Sequence, residues 1–243
     1  MIINLKQASN RLMMSVNRQQ QQEITNYLAG FISEHKKNKI EEILNKRTRY
    51  LTVAFENVYQ SHNASAALRS CECFGIQDAH IIEKNNSFKP NSDCLQGSAK
   101  WLTIKKHPHT DPDNLENCIR SLRDGGYHIA ATTLREGSIP IQGLFLEKKT
   151  ALFFGTEKEG LSEEVHRAAD TLVQIPMRGF TQSFNLSVGV ALCLYELTKR
   201  LSHLKEHRGL SSEEKDTLRL EWYTRTVHHG DLLIKKYLDT QQV

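Results

Sequence analysis

Leu28, Phe31 and Ile32, then Ile40, Ile43 and Leu44, recur at helical spacing in the first fifty residues, a stretch poor in glycine. The Gln19–Gln22 run and the polar stretch before it predict a frayed or flexible start. From Tyr50 the period changes. Leu51, Val53 and Phe55 alternate as a strand, and a polar turn leads into a helix from about Asn63 to Phe74 that stops at Gly75. Strands are then predicted at Ala79–Ile82, Trp101–Lys105, Tyr127–Thr132, Ala151–Phe154 and Thr171–Ile175. Between them lie a helix opened by Asp111 and Pro112 and closed by Gly125-Gly126, and a short capped helix at Ser162–Ala169. A long helix follows from about Asn185 to Leu201. Strand and helix alternating at this spacing predict an α/β fold with a largely parallel sheet, whose ligand sits at the carboxyl ends of the strands. After His203 the chain turns polar, and Ser211 with Glu214 forms a capping box for a further helix carrying Leu218, Leu220, Trp222 and Tyr223.

Composition narrows the class. Of 243 residues, 39% are hydrophobic and 25% charged, enough for one continuous core and too balanced for wholesale disorder. The longest nearly apolar stretch, Val188–Tyr195, falls far short of the roughly 20 residues that span a bilayer. No basic-then-apolar leader opens the chain, so a soluble cytoplasmic protein with no membrane partner is expected. The five cysteines (Cys71, Cys73, Cys94, Cys118 and Cys193) are odd in number and scattered, which favours reduced structural thiols. Cys71 and Cys73 lack a second Cys or His pair at zinc-finger spacing, so no metal is expected. The net charge of +4 proves no partner; its placement matters more. Lys36, Lys37, Lys39, Lys46, Arg47 and Arg49 cluster near the start, partly offset by Glu34, Glu41 and Glu42. That cluster reads either as a solvated helix face or as a phosphate-tracking surface.

Several chemistries are excluded by missing motifs. The chain has no G-x-G-x-x-G after its first strand, no P-loop, no G-x-S-x-G, no H-E-x-x-H and no H-x-E with C-x-x-C. Three segments keep polar residues that a packing-only account does not need. In the first, Asn63 stands at the strand-to-helix junction and Arg69 nearly two turns later. Alone they read as a helix cap and a surface or ion-paired residue. In the second, Phe153–Ser162, Gly155, Glu157 and Gly160 lie between a hydrophobic strand and a helix cap, and the glycines let backbone approach a ligand. In the third, Ile175–Leu197, a strand ends at Pro176 and a loop leads to Ser183, Asn185 and Ser187, which open an apolar helix. Loop backbone and a helix amino end make a cradle for a polar ligand.

Taken in order, Asn63-x5-Arg69, the F-G-x-E-x-x-G-L-S pattern of Phe154–Ser162 and the I-P-M-x-G-x-x-x-S-x-N-x-S-V pattern of Ile175–Val188 are specific. The chain resembles the SpoU-type (SPOUT superfamily) RNA 2′-O-ribose methyltransferases over roughly residues 50–202. Its flanking helices look most like the branch acting on guanosine 18 of the tRNA D-loop. The resemblance implies a SPOUT methyltransferase domain at 50–202 with a deep carboxyl-terminal trefoil knot. It also implies a helical RNA-binding extension at 1–49, a helical extension at 203–243, a homodimer and a tRNA substrate. Relatives acting on ribosomal RNA or on the tRNA wobble position, and a non-catalytic RNA-binding protein, are the alternatives.

S-adenosylmethionine is the implied cofactor, touching Thr132, Gly155, Ile175, Met177 and Phe184, largely through backbone groups. Phe184 stands where the family usually has Leu, and Gly189 where Ala is usual. Arg69 is the implied catalytic residue. Because a guanidinium hardly ever loses its proton, it is read as gripping the neighbouring phosphate and the developing alkoxide, the proton passing to phosphate or water. Asn63 would hold Arg69 or the ribose, and Glu157, Ser183 and Asn185 would shape the active centre. The amino-terminal basic residues with Arg219, Arg225, Lys235 and Lys236 would clasp tRNA phosphates, and Lys199 and Arg200 lie where the family reads its substrate.

Overall fold

A computed structural model describes residues 17–58, 61–85, 87–204 and 208–241. The chain divides into two compact units, one from residues 1–47 with 210–243 and one from residues 48–209.

The larger unit is a seven-stranded, wholly parallel sheet. Its strands are β1 (Leu51–Glu56), β2 (Asp78–Ile82), β3 (Thr103–His107), β4 (His128–Thr132), β5 (Ile139–Pro140), β6 (Thr150–Phe154) and β7 (Thr171–Gln174), in the order β3-β2-β1-β6-β4-β7-β5. Central β1 and β6 are buried along their whole length, as strands covered on both faces must be. Alternate residues serve opposite layers. Val53, Phe55, Leu152 and Phe154 pack with Ala64, Ala67 and Leu68 and with Val190, Leu194 and Leu197, whereas Ala54, Ala151 and Phe153 pack with Cys118, Leu122 and Val165. Numbered after α1 (Arg18–Ala29) and α2 (Glu34–Leu44) of the other unit, the helices of this unit are α3 (Ser61–Cys73), α4 (Ser92–Leu95), α5 (Asn114–Asp124), α6 (Glu163–Ala168) and α7 (Leu186–Ser202). Each fully buried Leu or Phe contributes about 1.5–3 kcal/mol.

The structure departs locally from the sequence-based expectations. The helix predicted to open at Asp111 and Pro112 starts at Asn114, because the Asp111 carboxylate instead accepts the Asp113 amide at 3.1 Å and forms a turn. The third strand runs two residues later than predicted, Trp101 belonging to the turn before it. Strand β5 left no periodic trace, since two residues cannot alternate, and Pro140 is tolerated because β5 is the sheet's edge. In the layer of Cys118, His80 is buried, and burial together with nearby Lys105 and His107 pushes its imidazole down to about 3.

The smaller unit joins both ends of the chain through α1 (Arg18–Ala29), α2 (Glu34–Leu44), α8 (Ser212–Thr226) and α9 (Gly230–Gln241). Residues Gln19–Gln22, expected to fray, lie inside α1; Asn17 and Gln20 make a reciprocal capping box that satisfies its first amides. The polar stretch before Asn17 is outside the described residues. Ser211 and Glu214 cap α8 as predicted.

The basic cluster is largely engaged within the fold. Arg47 is 1% exposed, its guanidinium 5.3 Å from the Trp222 ring centroid, and Arg219 is clamped by Glu41 and Asp216. Arg225 pairs with Glu221 and Arg49 with Asp78, while Lys39 and Lys46 share Glu42, whose carboxyl they hold down at about 2. Arg47 and Arg219 are therefore engaged in the packing of their own unit. Lys235 and Lys236 are exposed and make no ion pair among the described residues. No described helix is long and apolar enough to cross a membrane.

Candidate active site

The carboxyl ends of β4, β6 and β7 and the amino end of α7 surround a cavity of about 370 Å³. Thr132, Gly155, Ile175, Met177 and Phe184, the five residues expected at the cofactor, all line it. So do Glu157, Ser183 and Asn185. Thr132 is fixed by its hydroxyl, which donates to the Phe153 carbonyl at 2.8 Å.

Gly155 has a different reason from the one predicted. A Cβ there would run into the backbone of Gly160 and Leu161. The loop doubles back, with Thr156 and Gly160 exchanging amide bonds at 3.1 and 3.0 Å, and Gly160 adopts φ +69°. The glycines thus permit the loop to fold upon itself, and that turn points Glu157 at the cavity.

Beside the cavity, three polar side chains form one chain. Asn185 caps α7, accepting the Ser187 amide at 3.0 Å, and donates to Asn63 Oδ1 at 3.1 Å. Asn63 in turn donates to Glu157 Oε1 at 2.5 Å. Asn63 is no helix cap: α3 begins at Ser61, so Asn63 sits inside the first turn, 8% exposed, with its amide turned to the site. One side chain from each of the three sequence segments therefore meets at one point. An amide and a carboxylate fixed this way suit them to hold a hydroxyl-bearing ligand, because both offer oriented polar atoms without needing to reorganise.

Arg69 is not brought to this cluster. Six residues beyond Asn63, it is about 120° around the helix and about 9 Å along it. It is exposed, does not line the cavity and makes no ion pair among the described residues. Arg200 is also engaged elsewhere, donating to the carbonyls of Ile141 and Leu144 at 3.2 and 2.6 Å, while Lys199 stays exposed.

The cavity also has walls that the sequence did not single out. His166 Nε2 lies 3.1 Å from Thr133 Oγ1, and Arg135 forms a two-pronged ion pair with Glu163. That guanidinium holds the Glu163 carboxyl below the usual carboxylate range, and burial pushes the lining Cys193 thiol up to about 12. His166 looked like an ordinary last-turn charge of a short helix, so only the fold reveals that it edges the cavity.

The comparisons with known proteins point to one family. The family model described as SpoU rRNA Methylase matches residues 50–195. A tRNA (guanosine(18)-2'-O)-methyltransferase of Borreliella burgdorferi is 44% identical over 200 residues, spanning 82% of this chain and 89% of that protein. The crystal structure of the Aquifex aeolicus TrmH/SpoU tRNA modifying enzyme superposes with a TM-score of 0.71 at 30% identity, covering 80% of this chain and 98% of that one. An AdoMet-bound rRNA methyltransferase from Sinorhizobium meliloti aligns with a TM-score of 0.57 at 25% identity, over 65% and 60% of the two chains. With its three motifs gathered at the carboxyl edge of a parallel sheet, the chain belongs to the SpoU rRNA methylase family.

Proposed function

We propose that this protein is an S-adenosylmethionine-dependent RNA methyltransferase acting on the ribose 2′-hydroxyl of guanosine 18 of tRNA, in the cytoplasm where that substrate is met. The observation that carries this reading is the Asn63–Glu157–Asn185 chain beside the cavity, in a protein 44% identical to a relative named for that reaction. The cavity suits the cofactor: its volume is that of a small-molecule site, and its wall combines apolar side chains such as Phe154, Phe184, Val173 and Leu186 with glycines and a few polar groups. When bound, the sulfonium supplies an activated methyl carbon. Thr132, Gly155, Ile175, Met177 and Phe184 would hold and orient it, and Leu186 and Cys193 would keep water from its apolar side.

The chain's own residues then have to align a weakly nucleophilic hydroxyl and steady the charge that grows on its oxygen. Asn63, locked between Glu157 and Asn185, would position the ribose, and Ser183 would complete the rim. Arg69 would grip the adjoining phosphate and the developing alkoxide, the proton leaving to phosphate or water. Because Arg69 stands away from its own cavity, we place it at the cavity of a second copy. Exposed Val188, Leu192 and Tyr195 form an apolar stripe along the outer face of α7, continued by Phe184, and this supports a homodimer. The deep trefoil knot belongs to this reading through the family, as does the division into a catalytic domain at 50–202 with RNA-binding helices at 1–49 and 203–243. On the helices, Lys235 and Lys236 are the phosphate contacts we favour.

Incubation with labelled S-adenosylmethionine and unmodified tRNA, followed by nucleoside digestion and position mapping, tests the reading. The expected product is 2′-O-methylguanosine at position 18. Methylation of the wobble nucleotide, of ribosomal RNA alone or of no RNA would overturn it. Mixing Arg69→Ala chains with Glu157→Gln chains tests the shared site: activity should return in the mixed dimer and stay absent in each parent.

A further inference from the structure

Ser162, which joins the loop after β6 to α6, is the hub of a second run of hydrogen bonds, separate from that of Asn63, Glu157 and Asn185. Its amide donates to Glu56 Oε2 at 2.8 Å. Glu56 is the last residue of β1 and is 3% exposed. A carboxylate that deep is costly unless hydrogen-bonded, and filling space alone would be served as well by an apolar side chain. The Ser162 carbonyl accepts from His166 twice, from the backbone amide at 3.1 Å and from ring Nδ1 at 2.7 Å.

The direction of each bond is fixed by chemistry. A carbonyl oxygen only accepts, so Nδ1 carries the ring proton, and Nε2 of the neutral imidazole carries the lone pair. Thr133 Oγ1 lies 3.1 Å from that Nε2, so its hydroxyl donates, and the same oxygen accepts the Arg135 amide at 3.3 Å. Donation thus runs one way, from Thr133 to His166 to Ser162 to Glu56, and ends on a buried acceptor, an order in which neighbouring bonds polarise one another favourably.

The run ties together the two loops that wall the cofactor cavity. Thr133 follows Thr132 at the end of β4, and Ser162 closes the loop that starts at Gly155 and carries Glu157. The β4–β6 ladder ends at Ala131 and Phe153, so beyond that pair the side chains take over from the sheet. Thr133 and His166 also line the cavity themselves. Walls held in place before the ligand arrives need not be ordered on binding. We infer that His166, anchored through Ser162 by Glu56, is a positioning residue that clasps the two loops through Thr133 and so sets the affinity for S-adenosylmethionine. The inference rests on the S-adenosylmethionine reading of the cavity.

The test is calorimetric binding of S-adenosylmethionine to the full-length protein, paired with steady-state kinetics on tRNA. His166→Phe keeps a ring and removes both nitrogens; Kd and the KM for the cofactor should rise about three- to ten-fold, with kcat at saturating cofactor within about two-fold. Thr133→Val should move them in the same direction, and the double variant should be no worse than His166→Phe alone, because both remove one bond. His166→Gln, whose side-chain oxygen can accept from Thr133, should recover most of the affinity. Glu56→Leu, which deprives the Ser162 amide of its acceptor, should weaken binding as well. In the ligand-free protein, amide exchange at residues 133–135 and 156–162 should quicken in His166→Phe while β1 and β6 stay protected, which a general loss of stability would not produce. Unmoved affinity in His166→Phe, in Thr133→Val or in Glu56→Leu overturns the inference, as do additive losses in the double variant or no recovery in His166→Gln. Should His166→Phe not fold, Thr133→Val decides alone. An unaltered protein that binds no S-adenosylmethionine overturns the functional reading and this inference with it, whereas normal binding with unmoved variants overturns this inference only.

Discussion

In the terminal-helix unit, Arg219 is clamped between Glu41 and Asp216, and Arg47 is buried against Trp222. In the α/β unit, Asn63, Glu157 and Asn185 bond to one another at the edge of a cavity, while Arg69 stands exposed and unpaired among the described residues. Charge in the first unit holds its own helices together. Polar groups in the second are fixed in place yet leave room for a ligand. The contrast teaches that a basic stretch of sequence is no measure of a basic surface: a guanidinium already bonded to carboxylates has little left to give a phosphate.

The largest effect separating the two uses is expected at the cavity. Gly155→Val forces a side chain into the backbone of Gly160 and Leu161, which would cost about 1–3 kcal/mol of stability or rearrange the loop. Calorimetry should then show S-adenosylmethionine binding abolished; binding at unaltered affinity would mean the doubled-back loop is not part of the site. Asn63→Ala leaves the Glu157 and Asn185 side chains each short of a partner, costing about 1–3 kcal/mol of local order. Methyl transfer should fall by about ten-fold or more in kcat at modest change in cofactor affinity, read by steady-state kinetics. Arg219→Met should lower stability by about 1 kcal/mol in urea melts, since the clamp is partly exposed, while leaving the salt dependence of tRNA binding alone. The converse should hold for Lys235→Ala with Lys236→Ala: little change in stability, and a plot of log affinity against log salt shallower by about 2. If the two pairs of results were exchanged, the division between clamping and phosphate-binding cations would be wrong.

Much of this was legible in the chain. The alternation of Leu51, Val53 and Phe55 announced a strand and the strongly apolar opening of α7 after Asn185 a sheet-covering helix, whereas the burial of Thr52 and Glu56 on the strand's other face depends on the layer that covers it. The cavity residues Gly155, Glu157, Ser183 and Asn185 were legible because short loops between predictable elements fix their neighbours. Other features were hidden for physical reasons. The capping of α1 by Asn17 and Gln20 turned a glutamine run into helix, an outcome that side-chain propensity alone does not announce. The role of Gly155 lay in a backbone approach that spacing cannot show, and Arg135 and His166 reach the cavity only through the crossing of β4 and α6. The run from Thr133 through His166 and Ser162 to Glu56 joins residues far apart in the chain, a long-range property.

The central claim is that holding the cofactor and steadying the reacting oxygen belong to different groups, the first to the cavity wall and the second to Arg69. The direct measurement is a paired assay of Arg69→Ala: calorimetric binding of S-adenosylmethionine and single-turnover methyl transfer to tRNA. The account predicts cofactor affinity within about two-fold of the unaltered protein and transfer slower by about 10²–10³-fold, the usual loss when one charge-stabilising donor is removed. Transfer at the unaltered rate, or loss of cofactor binding in step with loss of transfer, would contradict it.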